Sequence, residues 1–303
     1  MKRTAIFFLL LVFLSTTLLA TAIEAKKTKK SKCGGGETSA YANDIMIRVT
    51  LTGSEKRKLA TLKAALIKDG INKKTVEAAL GHKNFGLYDT VTKLFKSNPE
   101  KKVASGEETY RWYSECLGGE YRVHRGKKFL KKERTALAGA EKKYGVDKRY
   151  IVSIIGVEST FATDPGRFNA VNTLASLYVL VKRKKKFAYW QLKELLKYSN
   201  RTNKPASKYT SSYAGAIGCG QFIPSSLNEY FVGKAGNVEK ADPFNTTDCI
   251  YSIAYYLKRS RWDKRQNGTT PKKGSKNWKA IRAYNHSDAY TRFIIEMATK
   301  LPL

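Results

Sequence analysis

Residues that hold metals are scarce in this chain of 303 residues. Its three histidines (His82, His124, His286) are scattered, and its four cysteines show no CxxC spacing. No HExxH run occurs, so nothing supports a zinc site, and neither a metal nor a cofactor is expected. Long apolar runs are also missing. Ala5–Leu14 follows Lys2 and Arg3 and stops at Ser15-Thr16-Thr17, too short for a bilayer span. With Ala20-Thr21-Ala22 or Ile23-Glu24-Ala25 as the cleavage site, residues 1–25 read as a secretory signal peptide. Acidic residues are few: 25 against 57 Lys and Arg, a net charge of +32. So basic a chain attracts polyanions, and nucleic acid is the usual partner for such a balance. An exported chain without a nucleic-acid motif is instead expected to meet cell-wall carboxylates, anionic envelope polymers or a membrane surface, through attractions that physiological salt screens.

No internal repeat organises the chain. Residues 26–44 read as a basic, Gly-rich flexible linker, and 45–124 as a helical N-terminal part. Within that part Leu59, Leu62, Ala65 and Leu66 keep helical spacing, Asp69-Gly70 marks a turn, and Lys74–Leu80 forms a second helix. Residues 125–303 read as a mainly α core, with an exposed basic loop from Gln266 to Gly274. That length suffices for one substantial core.

Three segments carry chemistry. The first, Ser212-Tyr213-Ala214-Gly215-Ala216-Ile217-Gly218-Cys219-Gly220-Gln221-Phe222, continues into Ile223-Pro224-Ser225-Ser226. Its small residues bury little and weaken a helix. Alone it fits two readings: a loop ending in a Pro-Ser-Ser helix start, or a groove wall whose bare backbone admits a flat polar ligand such as a sugar polymer. In the second, Asp147 caps a helix on which Ile151, Ile154, Ile155 and Glu158 share a face. A carboxyl on an apolar face tends to keep its proton at neutral pH and can act as a general acid, whereas a Glu at a helix end can equally point to water or pair with a lysine. In the third, Ala280–Tyr290, Tyr284, Asn285 and Tyr290 offer ring faces and an amide that suit a carbohydrate cleft, or else cap a helix.

Read together, these segments resemble the lytic murein transglycosylases of the membrane-bound B type, whose catalytic core is lysozyme-like. The resemblance runs from about Tyr110 to the C-terminus. It rests on Lys143-Tyr144-Gly145-Val146, Ile154-Ile155-Gly156-Val157-Glu158-Ser159, Thr173-Leu174-Ala175-Ser176-Leu177, the Ser212–Ala216 block, Ala254-Tyr255-Tyr256-Leu257-Lys258 and Tyr284-Asn285-His286-Ser287-Asp288.

The resemblance implies cleavage of the β-1,4 bond between N-acetylmuramic acid and N-acetylglucosamine in peptidoglycan, with Glu158 as general acid and then base and the muramyl C6 hydroxyl as nucleophile. It makes Ser212 and Gln221 acid-orienting residues, and Tyr256, Tyr284, Asn285, Tyr290 and Tyr113 cleft residues. Arg183 falls on an arginine that contacts saccharide or peptide. The chain departs from the family at Val181-Lys182, where Tyr-Pro is usual, and at Lys184, where a second Arg is usual. On chemistry alone Asp164, Asp242 and Asp288 stay open as second carboxylates.

Relatives that bind calcium do so after the Pro-Ser-Ser motif. Here Phe231–Asp242 has few carboxylates and two lysines, so no calcium is expected. Cys33 follows Lys32 without a lipoprotein box, so the expected location is the periplasm or cell envelope with no lipid anchor. The resemblance sets Cys219 in the groove wall and Cys249 on the helix behind it, which makes them the favoured disulfide and leaves Cys33 with Cys116. Two rival readings remain: a lysozyme-type hydrolase using the same Glu158, separable by its products, and a non-catalytic wall-binding protein, which would not need Glu158, Ser212 and Gln221 together.

Overall fold

Polar caps set several of the helix starts, and the computed structural model describes residues 47–97, 110–116 and 118–303. The expected signal peptide and linker, and Cys33 of the second cysteine pair, lie outside the described residues. In helix α1 (Gly53–Lys68) the Thr52 hydroxyl accepts the Glu55 N–H while the Glu55 carboxylate accepts the Thr52 N–H at 2.9 Å, a reciprocal cap. Leu59, Leu62 and Leu66 are buried along α1, which ends at Asp69-Gly70 with Gly70 at φ 87°. Asn72 caps α2 (Lys73–Leu80). Strands β1 (Ile47–Arg48) and β2 (Leu87–Tyr88) pair antiparallel, and α3 (Asp89–Ser97) follows.

After a π-type turn at Trp112–Cys116 come α4 (Gly119–Lys132) and α5 (Arg134–Tyr144). Asp147 then caps α6 (Lys148–Ser159): its Oδ1 accepts the Arg149 N–H at 2.9 Å, and its carboxylate also holds the Arg149 guanidinium at 2.6 Å. Asn169 caps α7 (Ala170–Leu180) in the same way, accepting from Val171 and Asn172. Every residue from Arg149 to Ser159 is buried, as is every residue from Ala170 to Val179. Helices covered on all sides belong at the centre of a fold. The single apolar face expected for α6 is therefore too narrow a description.

The remaining helices complete the enclosure. They are α8 (Lys185–Thr202), α9 (Pro224–Tyr230), α10 (Thr246–Arg259), α11 (Lys276–Tyr284) and α12 (Asp288–Thr299), with β3 (Phe168–Asn169) paired to β4 (Thr210–Ser211). Around α6 pack α4, α5, α10 and α12, while α7 lies against α1, α3 and α8. One hydrophobic cluster joins Leu59 on α1 to Leu301 beyond α12. The result is the mainly α architecture expected from the sequence. Among the described residues no helix is long and apolar enough to cross a membrane.

Candidate functional site

Glu158 lies in the last turn of α6 and is 3% exposed. The Tyr290 hydroxyl, from α12, donates to its Oε1 at 2.7 Å. Burial pushes the carboxyl up to about 8, against the opposing effects of the Tyr290 hydrogen bond and the Arg122 charge. Glu158 is thus protonated at neutral pH. Burial likewise raises the Tyr284 and Tyr290 phenols well above their ordinary range, and the Glu158 charge acts on both. Both therefore stay neutral donors.

The backbone beyond Glu158 is unusual. Thr160, Phe161 and Ala162 take φ values of 50°, 62° and 64°, three consecutive non-glycine residues in the left-handed region. Such residues cost about 1–3 kcal/mol each unless their surroundings hold them. Ser159 supplies part of the hold. Its hydroxyl donates to Cys219 O at 2.6 Å and accepts the Ala162 N–H at 3.1 Å, joining the end of α6 to the 212–222 segment.

That segment forms a wall, and all of it from Ser211 to Phe222 is buried. Its glycines pack rather than lie bare to a ligand, a correction to the open backbone read from the sequence. A Cβ on Gly218 (φ 76°) would sit 2.1 Å from Pro243 O, and one on Gly215 2.7 Å from a Leu174 methyl. The Ser212 hydroxyl accepts the Ala216 N–H at 3.2 Å, and the Gln221 amide donates to Pro165 O at 3.1 Å and Gly218 O at 2.8 Å. Both side chains brace the wall itself. Pro224 then opens α9 at its first position, as the Pro-Ser-Ser signal implied. Behind the wall a disulfide joins Cys219 to Cys249 of α10 with Cα atoms 6.1 Å apart, the favoured pair.

Aromatic residues close the other side. Tyr284 donates to Gly220 O at 2.5 Å, Tyr256 donates to Ala283 O at 2.6 Å, and their rings meet edge to face with centroids 4.8 Å apart. Tyr113, 1% exposed, lies behind Tyr290 and stacks on Phe293, so it supports the site from the second layer. Asn285 is buried, and its Oδ1 finds no hydrogen-bond partner among the described residues. Arg183 is attached more remotely: it donates to Phe95 O at 2.8 Å, and the Phe95 ring packs on Tyr213 of the wall.

The open second carboxylates fare differently. Asp288 pairs with Arg282 at 2.7 Å and Lys273 at 2.9 Å, and Asp242 with Lys204 at 3.7 Å. Asp164 is buried on the loop after α6, where its N–H donates to Ser159 O. Among the described residues, Tyr290 and Arg122 act electrostatically on Glu158 and no carboxylate does. Through 231–242 the Asp248 carboxylate accepts the Lys234 and Asp242 N–H groups at 2.9 and 3.0 Å. Among the described residues no three His, Cys, Asp or Glu side chains gather as a metal site.

Sequence reasoning missed two members of the site. Ser159 was readable only as the neighbour of Glu158. Arg122, 3% exposed on α4 with its guanidinium on Gly156 O, carries no local signature at all.

Comparison with known proteins places the chain in a family. A sequence profile described as the Transglycosylase SLT domain matches residues 54–273, and the chain belongs to that family. Membrane-bound lytic murein transglycosylase B of Escherichia coli (strain K12) is 33% identical over 144 residues, which are 47% of this chain and 39% of that relative. The chain therefore spans well under two thirds of that relative's length. Among solved structures, soluble lytic transglycosylase SltB1 from Pseudomonas aeruginosa superposes with a TM-score of 0.67 at 24% identity, covering 80% of this chain and 97% of that one. Escherichia coli Slt35 in complex with bulgecin A gives 0.65 at 21% identity, covering 82% and 92%. Pseudomonas aeruginosa SltB3 in complex with NAG-anhNAM-pentapeptide gives 0.66 at 23%, covering 82% and 79%.

Proposed function

We propose that this chain is a lytic transglycosylase that cleaves the β-1,4 bond from N-acetylmuramic acid to N-acetylglucosamine in peptidoglycan without consuming water. The observation that carries this reading is a buried carboxyl, protonated at neutral pH, on which a phenol donor and a cation act and, among the described residues, no carboxylate does. Glu158 gives its proton to the glycosidic oxygen as the C1–O bond breaks, and the N-acetylglucosamine end leaves as an alcohol. The muramyl C6 oxygen then forms a bond to C1, and its proton returns to Glu158. Proton and bond counts close with no water entering, which distinguishes the scheme from two-carboxylate hydrolysis. An intramolecular nucleophile held in line also gains a large effective concentration over solvent.

The other residues bind and orient. Ser212 and Gln221 stiffen the wall against which the acid works, and Tyr256, Tyr284 and Tyr290 line the opposite side with Tyr113 behind them. The unpartnered Asn285 Oδ1 supports a role as acceptor for a sugar hydroxyl or acetamido N–H. Arg183 serves the outer, peptide-bearing end of the cleft. On this reading residues 1–25 direct export, 26–44 form a tether, and the helical layer 45–124 flanks a core at 125–303. The surplus positive charge then works in the envelope, toward anionic polymers or the membrane surface.

Mass spectrometry of digested peptidoglycan tests the proposal. Muropeptides ending in 1,6-anhydro-N-acetylmuramic acid, each one water lighter than a lysozyme product, are expected. Mainly reducing N-acetylmuramic acid ends would replace it with the hydrolase reading. An undigested substrate would leave the wall-binding reading.

A further inference from the structure

Helix α4 lends two arginines to the end of α6. Arg122 donates from Nη1 to Gly156 O, two residues before Glu158, and Arg125 donates from Nη2 to Thr160 O at 3.3 Å with its guanidinium over the Phe161 ring. A helix C-terminus leaves its last carbonyls without internal partners, and cations there are favourable. Arg125 grips the left-handed turn Thr160–Ala162, and Arg122 grips the last turn of α6, which carries Glu158. Arg125 is only partly buried. Arg122 is buried, and a buried guanidinium is costly without an acceptor and a compensating charge.

We infer that Arg122 is a positioning residue: it fixes the turn that carries Glu158 and supplies the positive charge under which Glu158 persists as a carboxylate between its two proton transfers. The inference rests on the reading of Glu158 as the sole acid and base. Such an enzyme gives up the proton from a buried carboxyl before the C6 hydroxyl returns one, so for that interval it holds an anion away from water. A neighbouring fixed cation reduces the cost of that state.

Tyr290 faces Glu158 from α12, Tyr284 from α11 and Arg122 from α4. From α5, Glu141 is engaged with Lys148 at the opposite end of α6. From α10, Asp248 holds loop amides and Arg259 bonds Tyr255. Burial draws Arg122 down to about 10, still cationic across the neutral range, and the Glu158 charge is among the influences that hold it up.

Arg122→Lys keeps the charge, Arg122→Gln keeps a donor without the charge, and Arg122→Met keeps neither. Carbon-13 NMR of the Glu158 carboxyl in the full chain, assigned against Glu158→Gln, reads the coupling without substrate. Removing the cation should raise the midpoint by about one pH unit or more in Gln and Met, while Lys leaves it near wild type. The alkaline limb of the pH–rate profile should move up by the same amount. The turnover number should fall by roughly 10- to 100-fold in Gln, with KM little changed and largely rescued by Lys. A wild-type midpoint in Arg122→Gln, or rescue by Gln and not by Lys, would reduce Arg122 to a helix cap and overturn the inference. If the Met variant does not fold, the Lys and Gln pair decides alone. Because the titration needs no cleavage, a digest lacking anhydro ends would sink the proposed function without touching this result.

Discussion

The Tyr290 hydroxyl and the Glu158 carboxyl are 132 residues apart in sequence and 2.7 Å apart in space. That bond ties α12 to α6 at a carboxyl that burial keeps neutral. Tyr290 also packs edge to face on Tyr113, so three separate parts of the chain converge on one proton.

Glu158→Gln should abolish glycan cleavage and leave the fold unchanged, because the amide nearly matches the carboxyl in shape but cannot cycle a proton. The expected loss is at least ~10²- to 10⁴-fold, the usual worth of positioned acid–base catalysis. Cleavage assays beside circular dichroism check it, and wild-type turnover in a folded variant would remove Glu158 from the mechanism.

The same variant makes a pH-dependent stability prediction. Glu158 titrates near 4.5 when unfolded and at about 8 when folded, so between those values the native chain retains a proton that the unfolded chain has lost. Wild-type stability from this group is fully present below the lower value and falls as pH rises through the window, at a limiting slope of about 1.4 kcal/mol per pH unit. Glu158→Gln, which has no proton to lose, should gain on wild type steadily across that window. Urea unfolding of both proteins at several pH values reads the difference, and a flat difference would show that the carboxyl is not raised.

Removing the Cys219–Cys249 bridge by a double Cys→Ser change should cost about 2–4 kcal/mol, the usual range for a native disulfide. Denaturant unfolding measures the loss. Non-reducing peptide mapping that found both thiols free in exported protein would contradict the pairing itself.

Gly218→Ala should damage both stability and activity. Its backbone has φ 76°, and the new methyl would sit 2.1 Å from Pro243 O, where the chain cannot retreat without moving Cys219 and Gln221. A loss of a few kcal/mol is expected, in the range for forced overpacking. Thermal unfolding and cleavage assays would show the two effects together.

What the sequence disclosed was whatever a short window encodes. The Asp147 cap, the Pro224 helix start, the Asp69-Gly70 stop and the spacing that puts Glu158 with Ile154 and Ile155 are all local, and the structure contains each of them. Non-local pairings were not readable. Arg122 stands in a run with Arg125, Lys127, Lys128, Lys131 and Lys132, and nothing in that run marks which cation turns inward. Asp288 was chemically eligible as a second carboxylate until the fold placed Arg282 and Lys273 on it. The wall was legible as a small-residue segment, but its glycines reflect close packing against Pro243 and Leu174, partners that lie outside any local window.

One turn of α10 grips two things at once. Asp248 holds the 231–242 loop by its amides, Cys249 holds the wall by its sulfur, and Ser252, a turn further on, accepts the Val232 and Gly233 N–H groups. Loop and wall therefore share a single anchor and should open together. In hydrogen exchange the amides of Val232, Gly233, Lys234 and Asp242 and those around Cys219 should form one cooperative unit whose protection drops as a block when α10 loosens.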